Sequence, residues 1–196
     1  MFATVAKAWD SVGDMESEAC MALTNVQYLA SNAYADRLKA ALSTTNEAMR
    51  VNAQLMLGVS HYQRFLETLE EGDMERYCEH MSNAVVQAVP TAADWRYWTA
   101  RLLYAGSFAA RDDFSKSYAI LTNCLDSMDA LCCVSPANAL DVALLSYYEL
   151  RNISIKEAFK VMAGMSAAEL GMGSAATNYA NQISPPYRDL VLEFVR

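Results

Sequence analysis

The chain contains few residues that interrupt helices: its 196 residues include only seven glycines and four prolines. Glycine and proline are the residues that most disfavour the interior of a helix. Alanine, leucine and methionine are abundant instead, and their side chains lose little rotamer freedom in a helix. The composition is 54% hydrophobic and 19% charged, which excludes a disordered chain because enough apolar surface exists to offset ordering entropy. We expect an all-α fold in a single domain over residues 1–196.

Clustered positive charge is also missing. Fifteen basic residues face 23 acidic ones, which gives a net charge of −8, and the densest basic pair is Arg37 and Lys39. Nucleic acids and anionic membrane surfaces need grouped Lys and Arg, so the sequence predicts no nucleic-acid partner. No apolar run approaches the roughly 20 residues that cross a bilayer. We therefore expect a protein that does not span a membrane, and the first residues lack the apolar core of a secretory signal.

The cysteines do not form an even disulfide framework. There are five of them, and two are adjacent, Cys132 and Cys133. Adjacent cysteines bond each other only with backbone strain, so we expect them to serve as small apolar residues. Unpaired thiols are typical of reducing compartments. The sequence therefore favours an intracellular location, in the cytoplasm or inside an organelle.

Several short motifs mark the expected starts of helices. Residues 44–47, 154–157 and 166–169 each match the capping box, in which a hydroxyl accepts the third backbone N–H and a glutamate reaches back. Residues 135–136 place a serine before a proline, which suits the first helical position. These motifs predict helices that begin near residues 46, 137, 155 and 167.

Between the motifs, apolar residues recur with helical spacing. The clearest stripe predicts a helix over about 46–70 that ends at a turn, where Gly72 suits the left-handed position after a helix. We also expect a long N-terminal helix from about 14 to 42 and short C-terminal helices over 175–182 and 187–194. Prolines at 185 and 186 separate the last two. The stripe of the helix over 46–70 consists of Ala48, Val51, Leu55, Val59, Tyr62, Leu66 and Leu69.

Two aspartates, Asp112 and Asp113, interrupt the apolar pattern of residues 108–125. An aspartate is a good helix cap, and its charge stabilises the positive end of a helix dipole. The pattern therefore predicts two helices that form a tight hairpin with its turn at 111–113. A continuous helix with the two aspartates facing solvent is the alternative.

A turn followed by an apolar helix occurs three times at a nearly constant interval. The starting residues Met74, Phe114 and Ile155 are 40 and 41 residues apart, and each begins a set with spacing 3, 4, 3. A constant period of this size is the signature of stacked helical hairpins. We expect hairpins over 46–90, 91–130 and 135–166, flanked by N-terminal helices in 1–45 and a C-terminal cap in 167–196. The sets are Met74, Tyr77, Met81 and Ala84, then Phe114, Ser117, Leu121 and Cys124, then Ile155, Ala158, Met162 and Met165.

The middle and last units resemble tetratricopeptide repeats. In residues 102–124, an aromatic precedes the turn, an aspartate lies at the turn, and small residues follow where helices approach. Residues 143–162 repeat the pattern at Leu145, Ser146, Ile155 and Ala158. The period is 40 here and 34 in that family. The resemblance implies antiparallel hairpins stacked as a short right-handed solenoid. The matching positions are Tyr104, Ala105, Phe108, Asp112, Phe114, Ser117 and Cys124, then Leu145, Ser146, Ile155 and Ala158.

Residues suited to catalysis or metal binding are scarce. The only two histidines are His61 and His80. His61 is expected as a packed or surface residue of the 46–70 helix, with a catalytic base as the alternative. Cys78 and His80 lie two apart, so on a helix they point away from each other and do not chelate together. The acidic group around Glu71 and Asp73 is expected at a solvated helix end. The sequence predicts no catalytic residue, metal or cofactor.

Large apolar side chains exceed what a two-layer helical array buries on all sides. Trp95, Tyr97 and Trp98 alone cover most of one helix circumference. Trp, Tyr and Met are enriched at the centres of protein interfaces. We therefore expect a non-catalytic structural or adaptor subunit that binds protein subunits of a larger complex; an ordinary thick core is the alternative explanation. Two other function classes stay open: a helical bundle that binds an apolar small molecule or pigment, and an enzyme with convergent polar residues. The predicted partner-binding residues are Trp95, Trp98, Tyr104, Tyr147, Tyr148 and Met162.

Overall fold

The computed structural model describes residues 39–43, 45, 47–88, 95–128, 154–185 and 187–195. Within these ranges all regular secondary structure is helical and no strand occurs, which confirms the all-α prediction. The chain forms two compact units: Met1–Ala88 with Asn138–Glu149, and Val89–Ala137 with Leu150–Arg196. The predicted N-terminal helix over 14–42 lies outside the described residues, apart from residues 39–42. The predicted cap at 135–136 also lies outside them, and the cap at 44–47 lies partly outside them. The single domain and its segment boundaries stay predictions.

In the first unit, helix α1 (Glu47–Thr68) and helix α2 (Glu71–Gln87) form the predicted hairpin. The prediction for its turn is wrong, because the left-handed residue is Leu69 (φ 58°), and Gly72 lies in the first turn of α2. Leu69 N–H donates to the Phe65 carbonyl at 2.7 Å, which closes the end of α1. Glu71 and Asp73 favour an early start of α2, since carboxylates stabilise the positive end of a helix dipole.

The core of this unit lies between the two facing stripes. Val51, Leu55 and Val59 of α1 are buried, as predicted. The whole first set of the repeat pattern, from Met74 to Ala84, is buried on α2. Leu66 and Leu69 are more than half exposed, so their assignment to the core stripe is wrong. Leu66 lies in the last turn of α1 and Leu69 in the turn that follows it, and the next residues, Glu70 to Gly72, are exposed.

The second unit begins with helix α3 (Trp95–Ala109) and helix α4 (Phe114–Met128). The turn between them confirms the hairpin and rules out the continuous helix. Asp112 adopts a left-handed conformation with φ 60°. Asp113 Oδ1 accepts the N–H of Lys116 at 3.2 Å, so Asp113 caps α4.

Helix α5 (Ile155–Glu169) starts at the predicted capping box. The Ser154 hydroxyl accepts the Glu157 N–H at 3.2 Å, and Glu157 accepts the Ser154 N–H at 3.3 Å. The motif at 166–169 does not start a helix, because Ser166 lies inside α5. Its hydroxyl lies 3.3 Å from that of Ser117 on α4, in the buried contact between the two helices.

Helices α6 (Gly173–Ala180) and α7 (Tyr187–Phe194) confirm the two predicted C-terminal helices. Both pack against α5, which also contacts α3 and α4. The approach is close at Gly164, where an added Cβ would lie 2.7 Å from Val191 Cγ1 and 3.3 Å from Tyr179 Cβ. Helix α5 is therefore the centre of the second unit, and Val191 fixes the face that α7 turns towards it.

Candidate functional site

The two histidines of the chain meet in the first unit. His61 on α1 and His80 on α2 stack with ring centroids 5.5 Å apart and ring planes 9° from parallel. The pair was not predicted, because the pattern around each histidine indicates only its own helix. A signal was present, since His61 lies eight residues before Leu69 and His80 eleven residues after it, and an antiparallel hairpin brings such positions near each other. We call this arrangement, with Asp73 and Gln54, the histidine cluster.

Asp73 holds one side of the cluster. Its Oδ1 lies 2.7 Å from His61 Nδ1, 3.3 Å from Arg64 Nη2 and 3.7 Å from Arg76 Nη1. The side chain is only 2% exposed, so the prediction that it belongs to a solvated helix end is wrong. A carboxylate becomes this buried when charged and hydrogen-bonded partners replace its water. Here one imidazole and two guanidinium groups do so.

Gln54 holds the other side. Its Oε1 lies 2.7 Å from His80 Nδ1. An amide oxygen and a carboxylate oxygen only accept hydrogen bonds, so His80 and His61 both donate from Nδ1–H. In the neutral rings the proton is therefore on Nδ1, and each Nε2 carries a lone pair. The tautomer of both imidazoles follows from the hydrogen-bond partners that α1 and α2 supply.

Burial favours the neutral form of both rings. It lowers the pKa of His61, and it outweighs the hydrogen bond and the charge of Asp73, which act to raise that pKa. The pKa of His80 is lowered to about 4, first by burial and then by the charges of His61 and Arg76. Two unit charges about 5.5 Å apart would repel by roughly 3 kcal/mol at an effective dielectric constant of 20. Both rings are therefore neutral at pH 7.

The cluster can take up protons at two Nε2 atoms. An imidazole whose Nδ1–H is held by a carboxylate is oriented for proton transfer, and the same geometry orients metal ligands. Within the described ranges, however, no three His, Cys, Asp or Glu side chains gather for a metal ion. Proton binding is thus the chemistry that this geometry offers directly.

The structure places the predicted partner-binding residues in different environments. Trp98 is 3% exposed and lies edge-on to Phe159 with ring centroids 6.3 Å apart, so a partner reaches it only if the core repacks. Tyr104 and Met162 are partly exposed. Tyr147, Tyr148 and the side chain of Trp95 lie outside the described residues. The interface role of all six stays a prediction.

Another apolar surface, which the sequence did not single out, lies at the C-terminal end of the second unit. Leu190 and Phe194 of α7 are 37% and 42% exposed, and Leu170 and Met172 are exposed to a similar degree. A Cβ added at Gly173 would lie 3.6 Å from Val195 Cγ1, so the start of α6 lies beside the end of α7. We call Leu170, Met172, Leu190 and Phe194 the C-terminal apolar surface. Its helical signal was the spacing of four between Leu190 and Phe194.

Within the described part of the chain, no helix has both the length and the apolar character of a membrane span. Comparison with protein-family models, curated proteins and solved structures gives no match.

Proposed function

We propose that this chain is a non-catalytic structural or adaptor subunit that binds another protein through the C-terminal apolar surface. The observation that carries the proposal is the exposure of four large apolar side chains, two on α7 and two in the segment between α5 and α6. Exposed large apolar side chains that lie near each other are typical of protein contact sites. Aromatic residues and methionine, here Phe194 and Met172, are the types enriched at interface centres.

The charges beside this surface indicate the chemistry of the partner. Asp189 and Glu193 recur at a spacing of four on α7, next to Leu190 and Phe194, and Glu169 is exposed beside Leu170. Arg188 lies on the same helix, with Nε 3.4 Å from Asp189 Oδ1. The carboxylates outnumber this arginine. The partner segment would therefore present apolar side chains flanked by Lys or Arg, since complementary charge steers association.

The proposal includes an arrangement of the hairpins as a short right-handed solenoid of the tetratricopeptide kind in an intracellular, reducing compartment. Its support is local. Ser117, Cys124 and Ala158, which the repeat pattern places where helices approach, are all buried. Small buried residues at a constant period let neighbouring helices pack closely, as stacked repeats require.

Recovery of the partner tests the proposed function. The double variant Leu190→Ser/Phe194→Ser removes apolar area from α7 without touching the buried Val191. The matched control is Val86→Ser, because Val86 is 82% exposed on α2, outside this surface. We expect the double variant to lose the complex that the unchanged protein and the control retain. Equal recovery with all three proteins, each folded by circular dichroism, would reject the surface as the contact site.

A further inference from the structure

The histidine cluster contains more positive than negative groups. Within the described residues, the charged groups that face the rings are Arg64 from α1 and Asp73 and Arg76 from α2. With both imidazoles neutral, the two guanidiniums and one carboxylate leave one net positive charge. Tyr62 and Tyr77, whose rings lie 4.8 Å apart beside the cluster, remain neutral in acid. Acid therefore adds charge to a site that already has an excess of it.

We propose that His61 and His80 form an acid-sensitive switch that opens the α1–α2 hairpin when the two rings take up protons. The switch goes beyond the proposed adaptor function and does not depend on it. It rests on three observations. The rings stack across the two helices, Asp73 is the one described carboxylate that contacts both arginines, and the helices approach closely beside His80.

The proton has a defined position on each ring. Because Nδ1–H of His61 and His80 already donates to Asp73 and Gln54, the proton binds at Nε2. The two imidazolium ions then lie nearly parallel, with centroids 5.5 Å apart. Separation of α1 from α2 relieves their repulsion and returns both rings to water.

The stacked rings lie beside a close approach of the two helices. A Cβ added at Gly58 of α1 would lie 3.2 Å from His80 Cβ and would collide with Met81 Cε. Tyr77 and Met81, which flank His80 along α2, are almost fully buried. A movement of His80 away from His61 therefore separates the core stripes and exposes apolar surface.

The direction of the pH dependence follows from linkage. Burial lowers the pKa of both rings in the closed hairpin, whereas the open hairpin has the ordinary value of 6.5. The open form therefore binds more protons below pH 6.5, and the closed form loses stability as the pH falls from 6.5 towards 4. Above pH 6.5 the neutral rings stabilise the closed hairpin to their full extent.

Hydrogen exchange measured by mass spectrometry tests the switch in the full chain. After correction for intrinsic exchange rates, we expect opening of α2 to increase on the order of 50-fold between pH 7.5 and 4.5. Helix α4, which has no histidine, is the internal control and should change far less. In His61→Gln/His80→Gln the increase in α2 should disappear. If α2 keeps its protection at pH 4.5, or if the double variant opens as the unchanged protein does, the switch is rejected.

NMR titration provides a second test that needs no variant. The chain has only two histidines, so its imidazole resonances belong to the cluster. We expect both midpoints below 6.5, with exchange between closed and open signals as the rings titrate. Two independent titrations at 6.5, with the hairpin unchanged, would overturn the proposal.

Discussion

Asp73 Oδ1 and His61 Nδ1 lie 2.7 Å apart and join α2 to α1 close to the turn of the hairpin. The carboxylate is buried, yet Arg64 and Arg76 reach it from the surface. This contact orients one ring of the histidine cluster and balances part of the positive charge around it. It therefore links the packing of the hairpin to its response to pH.

Replacement of Asp73 by Asn should destabilise the first unit. The amide has nearly the same shape but lacks the charge that His61 and the two arginines need, so we expect a loss of about 2 kcal/mol in the free energy of unfolding. Urea unfolding at pH 7.5 measures it. The control is Asp189→Asn, an exposed carboxylate beside Arg188, for which we expect a change within about 0.5 kcal/mol. Equal losses would show that Asp73 has no special role.

Replacement of Arg76 by Gln should raise the titration midpoint of His80. The charge of Arg76 helps to lower the pKa of His80 to about 4, so its removal makes protonation easier. The same change removes one of the contacts of Asp73. NMR titration of the imidazole resonances measures the shift, with Arg188→Gln on α7 as the control. An unchanged midpoint in Arg76→Gln would show that this arginine does not act on the ring.

Alanine at Gly164 should destabilise the second unit. The new methyl group would lie 2.7 Å from Val191 Cγ1, and overpacking of this kind costs about 1–3 kcal/mol, which exceeds the gain in helix propensity. Gly72→Ala is the matched control, since no atom of the described residues lies within 4 Å of its added Cβ. We expect the control to be neutral or stabilising. Thermal unfolding compares the two, and Gly164→Ala/Val191→Ala should recover part of the loss.

The Ser117–Ser166 contact should show energetic coupling. The two buried hydroxyls lie 3.3 Å apart between α4 and α5. Each single change to Ala leaves the other hydroxyl without this partner, at a cost of about 1 kcal/mol, and the double change should cost less than the sum. A double-mutant cycle by urea unfolding measures the coupling, with the exposed Ser115→Ala as a neutral control. Strict additivity would mean that the hydroxyls do not interact.

Glu157 should stabilise the start of α5 only in its ionised form. Burial acts to raise its pKa, but hydrogen bonds from Ser184 and Ser154 outweigh it and lower the pKa below its ordinary value of 4.5. The contribution is therefore present above pH 4.5 and is lost as the pH falls through the lowered value. In Glu157→Gln, hydrogen exchange of residues 154–160 should be faster at pH 6 and less dependent on pH below 4.5. Glu169→Gln at the exposed end of α5 should leave both unchanged.

The helices were predictable because their signals are local. The periodic stripes, the aspartates at 112–113 and the capping box at Ser154 each act within a few residues, and the helices formed where they indicated. The turn of the first hairpin was placed too late, at Gly72, because a leucine in the left-handed conformation is unfavourable and gives no sequence signal. The turn lies earlier because the acidic residues Glu71 and Asp73 stabilise the first turn of an α2 that starts at Glu71.

The candidate sites depend on contacts between helices, which local patterns do not reveal. The burial of Asp73 needs His61 and Arg64 from another helix, so in the sequence it looked like one more acidic residue. Leu190 and Phe194 were visible as an apolar pair, but their exposure follows from Val191, which occupies the face of α7 packed on α5. The orientation of each helix about its own axis was the missing information.

Native mass spectrometry of the protein recovered from its source is the most direct test of the adaptor function. It detects bound proteins and bound small molecules in one spectrum. We expect the unchanged chain to carry a second protein in a fixed ratio. The double variant Leu190→Ser/Phe194→Ser should be recovered without that protein, and the control Val86→Ser should still carry it. A chain that carries only an apolar small molecule, or no partner, would contradict the account.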